Sequence, residues 1–312
     1  MSCAKGCTYD GYRKALADLE PDREDLVFLE PGAADDQYGI VSTRRIDTVA
    51  AEQDLILTAS GLALGGRRVF VSSPMSPLYI ARGYEQIRAA LAIPNLKVVL
   101  SSVQGGDVLN RDGSVRQMNE DFALMRLLPN MVVVAPSDRR CAYVLAHELS
   151  KHDGPAYIRL SYEEVPDIYD GDDSDFHIGG ARLLTEGDGV TICVNGVMVG
   201  EALTATRILA QQGIAAEVID CYCIKPFPEQ MLLASVRRTG CCVVAEKHTN
   251  IAGLYGVVAE NLCRSYTVPV RSVAIEDDFG QSGTPEELQE YYGLTHREIV
   301  HNVVQVLAMR RR

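Results

Sequence analysis

With 312 residues, 47% of them hydrophobic and 23% charged, the chain has an ordinary globular composition and length for about two domains, each able to bury its own core. Lys plus Arg total 30 and Asp plus Glu 42, and the net charge of −12 argues against nucleic acid or an anionic membrane surface as a partner. No apolar run reaches the roughly eighteen residues of a membrane span, and the polar start Met1–Asp10 lacks the apolar core of a secretory leader, so a cytoplasmic protein is expected.

Apolar runs alternate with helical periodicities along the whole chain, the pattern of parallel α/β sheets. Leu26–Glu30 reads as a strand, and Asp47 as the cap of a long helix ending at Gly65-Gly66. Arg68–Val71 is a strand, Pro77–Ala92 a helix closed by Pro94, and Lys97–Leu100 a strand before a glycine-rich loop from Ser102 to Arg116. A helix over Asn119–Leu128 stops at Pro129-Asn130. Strand Met131–Ala135 then feeds a helix that Ser137 can cap, and Ala156–Leu160 closes this half. Between Glu163 and Gly189 the chain turns acidic and loses periodicity, which marks a surface linker; its Asp-rich run misses the EF-hand spacing of a calcium loop. Alternation then restarts with strands at 190–194, 216–220, 241–246 and 268–274 and helices at 200–212, 228–239, 253–265, 285–292 and 296–309. The expected fold is therefore two parallel-sheet α/β domains, at 1–165 and 187–312, joined by a linker at 166–186.

Nine cysteines, several on strand-like runs, suggest reduced thiols rather than a disulfide framework. Cys3 and Cys7 have no second pair or histidine nearby, so a four-ligand zinc site is not expected, and no metal ligand is assigned to this chain. There is no Walker loop, no Gly-x-Gly-x-x-Gly after a strand and no Gly-x-Ser-x-Gly elbow. The first 146 residues contain no histidine, so imidazole acid–base chemistry on the first domain would have to come from elsewhere. What that domain offers is Val49-Ala-Ala-Glu52-Gln53, a carboxylate in the first turns of an otherwise apolar helix. Helix-dipole compensation is the bland account of such a residue.

The stretch resembles the Gly-Ile-Ala-Glu-Gln motif of the thiamine-diphosphate enzymes of the transketolase family. At matching spacing follow Ser60–Gly66, Phe70–Ser73, Tyr84–Arg88, Asp112-Gly113, Gln117 and Glu120–Asn130. Beyond the linker, Gly196–Leu203, Val218–Pro226, Glu246–Leu254 and Phe279–Leu288 resemble the family's C-terminal domain. The resemblance implies a pyrimidine-binding domain plus a C-terminal domain, without the family's third, diphosphate-binding domain. It therefore implies a separate partner subunit of roughly 200–300 residues that coordinates Mg²⁺, an α2β2 assembly, and homodimerisation of this chain. The triplet Gly105-Gly106-Asp107 imitates the metal motif of the missing domain only by chance.

The same resemblance assigns residues. Glu52 is the carboxylate that activates the aminopyrimidine, a role that wants a dry, apolar setting. Asp35, Met75, Leu78 and Tyr79 are expected around the cofactor, and Gln104, Arg116 and Gln117 toward substrate. Departures are informative: Gln104 and Arg116 stand where the family carries histidines, and Tyr162 where it carries a phosphate-gripping Arg. An Arg binds anions but does not relay protons at neutral pH. These losses imply two-carbon ketol transfer with a non-standard ketose or oxo-acid donor or acceptor. The alternatives are the β subunit of an acyl-transferring 2-oxo-acid enzyme, or a non-catalytic scaffold.

Overall fold

A computed structural model of the chain describes residues 6–30, 42–48, 51–73, 77–103, 113–115, 117–169 and 175–310. Among these, the strands are β1 Leu26–Glu30, β2 Arg45–Asp47, β3 Arg68–Ser73, β4 Val98–Val103, β5 Val132–Val134, β6 Ala156–Leu160, β7 Arg182–Thr185, β8 Val190–Val194, β9 Ala216–Asp220, β10 Cys223–Lys225, β11 Cys242–Thr249 and β12 Val270–Ile275. They form a seven-stranded sheet ordered β10-β5-β6-β4-β3-β1-β2 and a five-stranded sheet ordered β12-β11-β8-β9-β7. Every residue of β1, β3, β4, β5, β6, β8 and β9 is buried. That is why these strands are rich in apolar residues: helices cover both faces of a parallel sheet.

The helices are α1 Thr8–Leu19, α2 Glu52–Leu64, α3 Tyr79–Arg82, α4 Tyr84–Gln86, α5 Asp121–Leu127, α6 Arg139–Leu149, α7 Val199–Gln211, α8 Glu229–Thr239, α9 Leu254–Ser265, α10 Pro285–Tyr291 and α11 His296–Met309, with a π-helical stretch at Ile87–Ala92. Two expected caps move. Asp47 is the last residue of β2, paired with Glu30, and α2 starts at Glu52 without a side-chain cap. Asp138 rather than Ser137 caps α6, accepting from the Cys141 N–H at 2.8 Å, because the Ser137 hydroxyl is spent on Asp220. The expected helix over Pro77–Ala92 breaks at Gly83, where a Cβ would meet the Tyr79 carbonyl at 3.0 Å and Ile56 at 3.1 Å.

Two strands are antiparallel, against the all-parallel expectation. β7, inside the acidic stretch read as linker, pairs with β9 at the edge of the second sheet. β10 leaves the second half and adds to the first sheet beside β5, with Cys223 opposite Val134. Tyr222 and Cys223 are buried in the core of the first half, and Ile224 packs with Leu29, Val71 and Leu100. Lys225 donates to the Arg126 carbonyl at 2.9 Å and to that of Leu128, satisfying orphan carbonyls at the end of α5. The two α/β units are thus stitched by a strand as well as by a chain connection.

Cys7 is disulfide-bonded, so the expectation of reduced thiols fails at that residue; the other described cysteines are free. Among the described residues, no helix is long and apolar enough to cross a membrane.

Candidate active site

Ligands of parallel α/β sheets bind outside the carboxyl ends of the strands. Here the carboxyl ends of both sheets open on one cleft of about 530 Å³. Leu78, which follows β3, and Gln117 and Asn119 line it from the first unit. Thr249 at the end of β11 and Asp277–Gly280 beyond β12 line it from the second. The seam is tight. Gln117 donates to the Gln281 carbonyl at 2.9 Å, and a Cβ on Gly280 would overlap the Gln117 amide oxygen at 1.2 Å, so a side chain there would displace the Gln117 amide from this hydrogen bond.

Glu52 opens α2, and its side chain is 22% exposed. Arg82, at the end of α3 and itself 59% exposed, donates to its Oε1. Within this chain the carboxylate therefore faces a guanidinium and solvent, not the dry, apolar setting the sequence suggests. Tyr79 corrects a second expectation. It is 1% exposed, and its hydroxyl donates to the Ser101 carbonyl at 2.9 Å, so the ring belongs to the core and offers no face to a ligand. Leu78 is partly buried and lines the cleft. Asp35, Met75, Gln104 and Arg116 lie outside the described residues. Tyr162, in place of a phosphate-gripping arginine, packs edge-on against Tyr9 at 5.2 Å. Among the described residues no group of three or more His, Cys, Asp or Glu is arranged to hold a metal ion.

Behind the cleft lies a buried polar network that sequence reading missed. Arg159 on β6 donates through Nε to Asp121 Oδ2 at 2.7 Å, through Nη2 to Oδ1, and through Nη1 to the Lys247 carbonyl of β11 at 2.7 Å. Its guanidinium also lies 3.4 Å from the centre of the Phe122 ring. Burial alone would push the Asp121 carboxyl up, but the charge and hydrogen bonds of Arg159 outweigh it and hold the group low. His248 is fully buried; burial, then the Arg159 charge, push it down to about 4. Its Nδ1–H donates to the Thr249 carbonyl at 2.7 Å and its Nε2 faces the Ala123 N–H, so it is a neutral core imidazole rather than a proton relay. Glu246 receives the N–H groups of Leu254 and Tyr255 at 2.6 and 2.7 Å, capping α9. Gly253 leaves room for that carboxylate, since a Cβ there would meet it at 2.3 Å. The motif Glu246–Leu254 is thus structural in this chain.

Two mostly parallel α/β units, the first with a carboxylate at a helix start, have the layout of a pyrimidine-binding domain followed by a C-terminal domain, and comparison with known proteins agrees. Residues 13–167 match the pyrimidine binding domain of transketolase, and residues 179–299 match the transketolase C-terminal domain. The chain belongs to the transketolase family. It is 34% identical over 306 residues to a putative transketolase C-terminal section from Methanocaldococcus jannaschii, covering 95% of this chain and 94% of that one. It is 37% identical over 263 residues to the 6-deoxy-6-sulfo-D-fructose transketolase subunit SqwH from a Clostridium species, covering 84% and 81%. It is 33% identical over 255 residues to one of the subunits of the apulose-4-phosphate transketolase of Phocaeicola vulgatus, covering 82% and 81%. Among solved structures, a split-gene transketolase described as an inactive beta4 tetramer superposes with a TM-score of 0.88 at 34% identity, covering 98% of this chain and 99% of that one.

Proposed function

We propose that the chain is the C-terminal subunit of a two-component, thiamine-diphosphate-dependent transketolase that transfers a two-carbon ketol unit with a donor or acceptor outside the usual sugar phosphates. The observation that carries this is Glu52: a carboxylate reachable from solvent at the start of α2, in a chain that matches the pyrimidine-binding and C-terminal domains of the family. The sulfofructose and apulose phosphate in the names of two relatives support an unusual sugar, and the naming of both as subunits supports a separate partner. The division into units at 1–165 and 187–312 with the span 166–186 between them belongs to the same reading.

An accessible carboxylate at the start of α2 suits the pyrimidine half of the cofactor, while Leu78 lines the cleft, of which Glu52 is not a lining residue. Thiamine diphosphate, when bound, supplies a carbanion sink. Glu52 would hold a proton at N1′ of the aminopyrimidine. To do so it would give up the Arg82 hydrogen bond, and a partner subunit would exclude the water that reaches it in this chain alone. Asp35, Met75 and Leu78 complete the cofactor surroundings, and Gln104, Arg116 and Gln117 face substrate. The partner coordinates Mg²⁺ and the diphosphate in an α2β2 assembly. This chain dimerises with itself, and the beta4 relative supports self-association in the absence of the partner.

The test is Glu52→Gln in the complex reconstituted with the partner. Exchange of the cofactor C2 proton for deuterium should slow by about 10²–10⁴-fold while the complex stays folded. Exchange at the wild-type rate would refute the assignment. A ketol rather than an acyl product separates this reading from a 2-oxo-acid enzyme.

A further inference from the structure

We propose that a second copy of this chain docks on the outer face of α2, forming an antiparallel helix pair whose twofold axis passes between Ser60 and Gly61. That the chain associates with itself rests on the two-component reading; the surface follows from the helix. α2 is apolar on both sides: Leu55, Ile56 and Ala59 are buried in the core, yet Leu57 is 51% and Leu64 70% exposed. A helix apolar all round is one that is covered. The exposed residues Asp54, Leu57, Gly61 and Leu64 follow at intervals of three, four and three, the seam of a helix pair. Alongside, Ser60 Oγ donates to the Ala90 carbonyl at 3.0 Å and Arg82 donates to Glu52, so the Ile87–Ala92 stretch runs beside α2 in the same direction. Ile93, 65% exposed, thereby extends the apolar face at its Leu64 end.

The order of residues selects the occupant. Positions 55–66 carry no charge, in a chain whose net charge of −12 makes copies repel one another elsewhere. Exposed charges of opposite sign flank this stretch, Asp54 before it and Arg67 after it. Arg67 donates through Nη1 to the Glu24 carbonyl at 2.9 Å, which uses one of the several donors of its guanidinium. Turning a second α2 about the point between Ser60 and Gly61 sets its Leu64 against Leu57 and its Arg67 against Asp54, and both contacts recur by symmetry. The two helix dipoles are then opposed. Gly61 suits the crossing: nothing lies within 4 Å of where its Cβ would stand, so the backbones can approach there. A parallel pair brings like charges together and gains no such match. The antiparallel pair sets the two Glu52 residues about 25 Å apart along the helix direction, at opposite ends of the interface.

The test is the mass of the full chain by light scattering at equal concentration. Leu64→Glu, at an exposed position, should keep the wild-type circular dichroism and melting temperature while the mass falls by about half. Asp54→Arg and Arg67→Asp should each raise the dissociation constant about fivefold, since every charge pair occurs twice and reversal turns attraction into repulsion. The double variant should return to within about twofold of wild type, as only a contact between these two charges allows. In a Cys263→Ser background, which removes the exposed native thiol, Gly61→Cys should be joined by diamide into a covalent dimer that dithiothreitol releases. Wild-type mass in Leu64→Glu, a double variant no tighter than either single, or no covalent dimer would overturn the docking surface and leave the two-component reading standing. A monomeric wild-type chain would overturn self-association together with this surface, while C2-proton exchange in the reconstituted complex still decides the role of Glu52. Loss of partner-subunit binding in Leu64→Glu, with self-association unchanged, would assign the face to that subunit and overturn the proposal.

Discussion

Arg159→Met tests what holds the two units in register behind the cleft. The substitution keeps much of the side-chain stem but removes the charge that faces Asp121, which is fully buried and would retain only the Tyr157 hydroxyl and the edge of a neutral His248. It also strips the Lys247 carbonyl of its donor. Breaking a buried ion pair from one side costs about 3–5 kcal/mol, because the remaining charge stays desolvated. At about 2–4 °C per kcal/mol for a chain of this size, the melting temperature should fall by roughly 10 °C. Removing both charges is different: Arg159→Met with Asp121→Leu leaves no isolated charge and should recover most of the loss. Urea denaturation of wild type, both single variants and the double variant closes the cycle. An Arg159→Met variant within about 1 kcal/mol of wild type, or a double variant no more stable than either single, would refute the account of this network.

Two other expectations concern groups whose environment only the fold creates. Burial pushes Asp220 up to about 7 from 3.8, although the Ser137 and Tyr169 hydroxyls both donate to it, and burial pushes Glu246 up to about 7 from 4.5. Because the folded state then binds more protons than the unfolded one, stability should fall as pH rises from about 4 to about 7 and level off above. Asp220→Asn should remove about 2–3 kcal/mol of the loss measured between pH 5 and pH 8, and an equal pH dependence of urea-denaturation stability in variant and wild type would contradict it. Tyr79→Phe deletes only the hydrogen bond to the Ser101 carbonyl and should cost about 1 kcal/mol of stability. Since the ring is enclosed, calorimetric affinity of the reconstituted complex for thiamine diphosphate should not change, and a tenfold loss would mean that the ring reaches the cofactor.

Most element types and their order were legible in the sequence, the helix α1 Thr8–Leu19 being missed, because a doubly covered strand is largely apolar and a covering helix is apolar on one stripe. Both are local patterns, and the buried strands β1, β5 and β8 carry the first of them most fully, while β3, β4, β6 and β9 bury polar residues within their runs. The short edge strands escaped for the same reason: β2, β7 and β10 have too few residues, or too much exposure, to carry a period. Motif spacing indicated Glu52, Leu78 and Gln117, and the fold sets the first at the start of α2 and the other two on the cleft. Only the tertiary structure decided that Tyr79 turns inward to Ser101, that Arg82 takes the Glu52 carboxylate, and that His248 is locked as a core imidazole. It alone decided that Asn119 meets the C-terminal unit through Thr249. A sequence states which groups need partners. Which distant residue supplies one depends on how β10, β11 and the segment beyond β12 are brought against the first sheet, and no local period encodes that.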